Sequence, residues 1–387
     1  MRKTSMSLAV LGIAAVTALA ACGSSSSNKS SDNKSSSDTT SAPATTDTAT
    51  SAPAGGATID GKGAKVGIIL PDTTTSPRWV TADPAALKAD CTKYNLDCII
   101  QNAGGSAPKM KTIAQQMESQ GVKALMIVDL DQASGAAIEQ EAKKNGVIPI
   151  DYDRLTPGGG AALYVSFDAV KVGEVQGTTL TQCAAVKNLK AVKYVEIDGA
   201  ATDNNAVLFH QGYDSVLSKQ PGWTRVARQD GNWDAPTAGR AFNAMLGKTP
   251  DLKAVMVAND TMAGAVITDL KRQGLAAGKV AVSGQDATAA GLQAIMDGNQ
   301  CFTIYKPSKA EADPAIKSIA QLVNGQTPTT TGTTEDPKTH TKVPSILATP
   351  IAITKANVAQ PINDKYVPKS SVCIGAYVAK CAANGVK

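Results

Sequence analysis

Histidine and aromatic residues are nearly missing from this chain. Its 387 residues hold two histidines, His210 and His340, and only 4% aromatic side chains. Two histidines so far apart leave little material for a His-based metal centre. Charge of one sign is missing too: 38 Lys and Arg stand against 33 Asp and Glu, a formal +5. No cluster of Lys and Arg collects on one face, so nothing makes an electrostatic case for nucleic acid. The apolar run Leu8–Ala21 is shorter than the ~20 residues a membrane-spanning helix needs. A mean hydropathy of −0.10 excludes a multi-span membrane protein, and 43% hydrophobic residues exclude a wholly disordered one. The Gly-rich phosphate fingerprint G-x-G-x-x-G follows no expected strand. Gly158-Gly159-Gly160 reads as a turn, which argues against a dinucleotide cofactor.

What is present begins at the N-terminus. Arg2 and Lys3 precede the apolar run, the anatomy of a secretory signal over residues 1–21. The run closes on Leu19-Ala20-Ala21-Cys22-Gly23, which resembles the lipobox of bacterial lipoproteins. There Cys22 would be lipidated and become the first mature residue, and loss of Arg2 and Lys3 would leave a charge of +3. The plainer alternative is an ordinary signal peptide with a chance cysteine. Residues 22–57 are Ser, Thr, Ala, Asp and Lys and bury too little apolar surface to fold, which makes them a tether. Length then leaves 58–387 for roughly two domains. The expected location is outside the cytoplasm, anchored to the cell membrane by lipid.

Six further cysteines, Cys91, Cys98, Cys183, Cys301, Cys373 and Cys381, form an even set in an exported chain and read as disulfides. Six cysteines allow 15 connectivities. Proximity favours Cys91–Cys98 and Cys373–Cys381, which leaves Cys183–Cys301. The spacings match no zinc signature.

From Lys65 onward, short β-branched runs alternate with helical patterns. The runs are Val66–Leu70, Ile99–Gln101, Ala124–Val128, Val147–Ile150, Leu163–Ser166, Val192–Ile197, Thr224–Ala227, Ala254–Ala258, Lys279–Ser283 and Phe302–Tyr305. The helical patterns include a stretch around Ile113 and Met117, then Ala136–Asn145, Val172–Ala185, Ala206–Leu217, Met262–Gln273 and Ala289–Met296. Such alternation predicts an α/β fold of parallel sheets covered by helices on both faces. Ten strands divide more naturally into two doubly wound lobes than one.

In open α/β sheets ligands bind beyond the carboxyl ends of the strands. Those ends carry Arg78 and Trp79, Asp153 and Arg154, Asp203 and Asn205, Trp233, Asn259, Asp286 and Lys306. Amides and carboxylates can bridge vicinal hydroxyls, guanidinium offers a planar fork, and an indole packs on sugar C–H groups. Arg78, Arg154 and Lys306 balance Asp153, Asp203 and Asp286, which suits a neutral polyol better than a phosphate or carboxylate. Each residue also has a plainer reading. Asp153 and Arg154 could form a structural ion pair. Asp203, Asp286 and Asn259 could cap helices. Lys306 could be a solvated loop residue, and Trp79 and Trp233 could belong to the core.

The segments Tyr152-Asp153-Arg154, Tyr164-Val-Ser-Phe-Asp168 with Lys171-Val-Gly-Glu174, and Asp203-Asn-Asn-Ala206 resemble a known family. So do Ala258-Asn-Asp260, Ser283-Gly-Gln-Asp-Ala287 and Tyr305-Lys-Pro307. Together they resemble the D-xylose-binding proteins of bacterial ABC importers, within the ribose/galactose-type periplasmic sugar-binding proteins. The resemblance spans about Lys65 to Ile353. It implies two lobes joined by a three-segment hinge, an N-lobe of about 65–165 plus 304–345 and a C-lobe of about 166–303 plus the C-terminal segment. It further implies a monomer that closes on one sugar and delivers it to an ABC permease and its ATPase, with no cofactor. The ten strand-end residues then become ligand-binding residues by motif, Trp233 least securely because its surroundings differ. Asp72-Thr-Thr-Thr-Ser-Pro77 departs from the family's more charged stretch, and the C-terminal extension with Cys373 and Cys381 lies outside the part that the resemblance covers.

Two other classes compete. A hydrolase would need a nucleophile with a base, and the chain has no G-x-S-x-G. A glycosidase could use Asp153 and Asp286 as its carboxylate pair. A transcriptional regulator of related fold would need a helix-turn-helix where the lipobox and tether stand. A sensory role that presents bound sugar to a receptor fits the same residues.

Overall fold

The computed structural model describes residues 59–275 and 278–387; the expected signal peptide, Cys22 and the tether lie outside the described residues. The first lobe runs β1 (Ala64–Leu70), α1 (Ala82–Lys93), β2 (Leu96–Asn102), α2 (Ala107–Ser119), β3 (Ala124–Ile127), α3 (Gln132–Lys144), β4 (Ile148–Tyr152) and β5 (Leu163–Phe167). The second runs α4 (Ala169–Thr181), β6 (Val192–Asp198), α5 (Asn204–Leu217), β7 (Trp223–Asp230), α6 (Ala235–Leu246), β8 (Ala254–Val257), α7 (Asp260–Arg272), β9 (Ala281–Val282), α8 (Ala289–Met296) and β10 (Phe302–Tyr305). The chain then returns through α9 (Ser308–Leu322), β11 (Gly332–Glu335) and β12 (Lys342–Ala348) to the first sheet, and through β13 (Ile351–Thr354) to the second lobe. No helix among the described residues is long and apolar enough to cross a membrane.

Side-chain alternation along β1 shows why both faces of the sheet are covered. Val66, Ile68 and Leu70 point to one face, into a core shared with Leu87 and with Ile316 and Ile319 of α9. Ile69 points to the other face, against Ile113 and Met117 of α2 and Ile138 of α3. Such a strand reads as one apolar run, the mark of a buried parallel strand. The sheet order is β11-β12-β5-β4-β3-β1-β2, and the second sheet repeats the same winding as β7-β6-β8-β9.

All ten expected strands are present, with ends shifted by up to three residues. Three strands and six helices went unforeseen, three of the helices being short C-terminal ones at Gln360–Asn363, Lys369–Val372 and Tyr377–Ala383. β11 is a Thr-rich exposed hairpin strand, and β11–β12 and β10–β13 pair antiparallel, so the sheets are not purely parallel. α1 is Ala-rich and buries only Leu87 and Cys91 among its apolar residues, too thin a stripe to read. α9 contains Pro314, which signals a break rather than a helix. α6 also went unread. The expected helix to Ala185 ends at Thr181, and the following turn places Cys183 in a disulfide.

Helices α4 and α5 pack at unusually short range. A Cβ on Gly173 would run into the backbone of Phe209, and one on Gly177 would meet Tyr213 at about 3.1 Å. This close approach fixes α5, whose first turns supply part of the site.

The disulfides are Cys91–Cys98, Cys183–Cys301 and Cys373–Cys381, with sequence separations of 7, 118 and 8. Loop-closure entropy favours the long one, about 4–5 kcal/mol against about 2–3 kcal/mol for the local pairs. Urea unfolding should therefore show a larger loss for Cys183→Ser/Cys301→Ser than for Cys91→Ser/Cys98→Ser. Equal losses would show that chain entropy does not govern these links.

Candidate functional site

At the end of β4 the chain turns sharply, with Asp153 at φ 63°. That left-handed conformation costs a non-glycine residue about 1–3 kcal/mol and persists only where its surroundings enforce it. Here they do. The Asp153 N–H donates to Val165 O at 2.9 Å, and its carbonyl accepts from Ser166 Oγ at 2.6 Å and Asn205 Nδ2 at 2.9 Å. The carboxylate accepts from Arg78 at 2.8 Å, Asn205 at 3.2 Å and Lys306 at 3.3 Å. Burial opposes its charge, yet Lys306, Arg78 and Arg154 outweigh that and hold its pKa below the ordinary value. One carboxylate thus joins a first-lobe arginine, a second-lobe amide and a hinge lysine.

Arg78 departs from its expected role. It is 2% exposed and forms a bidentate pair with Asp83 at 2.7 and 2.8 Å while also binding Asp153 and Glu311. Three acidic side chains take four of its five N–H donors, and it is not part of the cavity lining, so it stands behind the site and orients Asp153. Its Cζ also lies 4.5 Å from the Trp79 ring centroid, a cation–π contact that steadies the indole.

The other nine expected residues line one cavity. Asp203 and Asn259 do cap α5 and α7, as the plainer reading held, but they face the cavity as well. Asp203 also binds Arg154 Nε at 3.0 Å and the Trp233 indole N–H at 3.1 Å. Burial raises its pKa, against the pull of Arg154 and the Asn205 amide. Asn259 donates to Thr75 O at 3.1 Å, a bond between the second lobe and a first-lobe loop. Asp286 caps nothing, since Thr288 caps α8. Lys306 is 4% exposed and so is no solvated loop residue. Trp233 lies edge-on to Phe209 at 6.4 Å, and a Cβ on Gly199 would collide with its indole, so only glycine leaves the ring its place.

The cavity includes four residues that the strand-end list omitted: Thr75, Ser76, Phe209 and Gln285. Ser76 and Gln285 sit beside expected positions. Phe209 lies one helical turn beyond Asn205, a spacing that could have found it. Four buried polar atoms of the lining have no hydrogen-bond partner: Ser76 Oγ, Trp79 Nε1, Asn205 Oδ1 and Gln285 Oε1. Native interiors seldom leave such groups unsatisfied, and this set mixes donors and acceptors. Arg154 and Lys306 face Asp153, Asp203 and Asp286, so there is no positive surplus for an anion.

One possible cation cluster exists elsewhere among the described residues: Glu196, Asp198 and His210, with ligand atoms within 4.8 Å of one another. Arg225 binds Glu196 at 3.1 Å and Arg228 binds Asp198. Guanidinium groups already occupy these carboxylates.

With this geometry in hand, the comparisons with known proteins converge. A periplasmic binding protein domain matches residues 66–327. The chain belongs to the periplasmic binding protein family. It is therefore a binding protein rather than an enzyme. It is 32% identical to the D-xylose-binding periplasmic protein of Escherichia coli (strain K12), over 77% of this chain and 88% of that protein. It is 29% identical to the multiple sugar-binding periplasmic receptor ChvE of Rhizobium radiobacter, over 76% and 86% of the two chains. A carbohydrate transporter solute binding protein from Chloroflexus aurantiacus, solved in complex with D-glucose, superimposes with a TM-score of 0.71. That match has 28% identity and covers 79% of this binding protein and 97% of the other.

The network behind the cavity makes stability depend on pH. Burial and the nearby Asp153 push the Glu311 carboxyl up to about 8, against the pull of Arg78 and Lys306. An unfolded glutamate releases its proton near pH ~4.3. Between those values the native state holds a proton that the unfolded chain has lost, so this group's contribution to stability falls as pH rises toward 8. Melting temperatures measured from pH 5 to 8 should decline less steeply in Glu311→Gln than in the wild type. Identical slopes would mean that Glu311 is ionised throughout.

Proposed function

We propose that this binding protein captures one neutral monosaccharide, D-xylose before others, outside the cytoplasm and delivers it to the permease and ATPase of an ABC importer. The observation that carries this reading is the cavity itself. Strand-end side chains of both lobes and two indoles converge on one cavity, with four buried polar atoms unpaired. Ring hydroxyls would pair with those atoms and with Asp153, Arg154, Asp203, Asn205, Asn259, Asp286 and Lys306, while Trp79 and Trp233 pack against C–H groups. The relatives' names support a sugar, and the D-xylose-binding relative favours the pentose. A hexose is the second reading, favoured by the D-glucose complex of the Chloroflexus relative. It would require room for one more hydroxymethyl group. The cavity is complete within one chain, which supports a monomer, and its chemistry calls for no cofactor.

Titration calorimetry decides between the sugars. D-xylose should bind the wild type, and Asp286→Ala and Trp79→Ala should each bind about 10- to 100-fold more weakly, as expected where a buried partner is lost at about 1–3 kcal/mol. Equal binding by all three proteins would remove these residues from the site. Tight binding of D-glucose with none of D-xylose would establish the hexose.

We also propose that Cys22 carries the lipid that holds the protein at the membrane. Cys22→Ser should release it to the soluble fraction or leave an uncleaved precursor. Unchanged membrane retention and processing would refute the anchor.

A further inference from the structure

The C-terminal segment beyond residue 354 lies outside the matched domain, 66–327, yet it is firmly seated. Pro361, Ile362, Val367, Val372, Cys381 and Val386 are buried, most of them in one cluster with Leu292, Ile295 and Met296 of α8. Its end is closed by Cys373–Cys381, and Tyr377 and Lys380 both bind Asp297. From this platform Tyr366 reaches back toward the cavity. Its hydroxyl donates to the backbone carbonyl of Asp286 at 3.1 Å, and its ring meets Tyr305 edge-on at 5.0 Å.

The backbone it touches is strained. Asp286 and Ala287 have φ of 90° and 46°, two consecutive non-glycine residues in the left-handed region. Such a pair endures only when neighbouring bonds dictate it. The Asp286 N–H donates to Ile304 O at 2.8 Å, and the Ala287 N–H donates to Thr303 Oγ1 at 3.0 Å. Both of those partners belong to β10. Tyr366 supplies the bond to the Asp286 carbonyl. The Asp286 carboxylate faces the cavity, with Lys306 Nζ at 3.8 Å as its nearest cation. Its direction is therefore set by its own strained backbone.

We propose that Tyr366 is a positioning residue of the sugar site: its hydroxyl fixes the Asp286 backbone, and through it the carboxylate offered to the ligand. The proposal rests on the cavity being the sugar site. The C-terminal segment then becomes part of the binding apparatus, adding the bond to the Asp286 carbonyl of a turn that the shared domain holds from β10 and, at the flanking Gln285 and Thr288, from Asp260 of α7. Tyr366 never touches the ligand. Its effect is to keep Asp286 in the one backbone conformation in which the carboxylate meets a ring hydroxyl.

The test uses the full chain and D-xylose, with titration calorimetry for affinity and stopped-flow tryptophan fluorescence for dissociation. Tyr366→Phe keeps the ring against Tyr305 and removes only the hydroxyl. It should weaken binding about five- to tenfold, mainly through faster dissociation, with the melting temperature of the free protein little changed. A double-mutant cycle separates positioning from general support. Adding Tyr366→Phe to Asp286→Asn should cost little further affinity, because the group being positioned is already altered. Tyr377→Phe, which loses a bond on the far side of the same segment, should bind as the wild type does. Wild-type affinity in Tyr366→Phe, beside a loss in Asp286→Asn, would overturn the positioning role alone. Multiplicative losses in the double variant would assign Tyr366 to general support and overturn it likewise. A wild type that binds neither D-xylose nor D-glucose would overturn the sugar reading, and this inference with it.

Discussion

A buried charge needs compensation, and in this protein much of the architecture follows from compensating Asp153. Its carboxylate lies between the lobes where water is scarce, so cations and amides must come to it. Arg78 arrives from the first lobe, Asn205 from the second and Lys306 from the returning hinge strand. Arg78 in turn needs Asp83 and Glu311, which ties α1 and α9 to the same network. Removing one member strands a charge on the others. The polar cluster therefore specifies how the lobes meet, while apolar burial specifies each lobe separately.

Each lobe carries a comparable parallel sheet, and the chain crosses between them three times: after β5, after β10 and after β12. Two of these crossings lie side by side, with the Asp168 N–H donating to Ala348 O at 3.1 Å. The third carries Lys306-Pro307, so a cavity-facing cation rides on the crossing itself. Bonds such as Asn259 to Thr75 span the cleft directly.

Much of this was legible in the sequence because both signals involved are local. Buried parallel strands announce themselves as β-branched runs, and the rule that ligands sit at strand ends converts their positions into a list of candidate residues. That list located the cavity, although its role in binding remains the proposal made above. What escaped depended on distance or on weak periodicity. Arg78 was placed at the ligand because its three carboxylate partners, Asp83, Asp153 and Glu311, come from different elements. Phe209 went unlisted because the glycine-mediated approach of α4 to α5 that places it is a tertiary fact. The Ala-rich α1 and Pro-containing α9 lacked a strong stripe. The contact of Tyr366 with Asp286 spans 80 residues and has no local trace.

The covalent cross-links have a distribution of their own. Cys91–Cys98 stays within the first lobe, and Cys183–Cys301 and Cys373–Cys381 stay within the second. None bridges the cleft. Each half is thus covalently fixed, while the angle between the halves is set by noncovalent bonds alone. Reduction of these bonds would lower the stability of each half and remove no covalent constraint on how the halves meet.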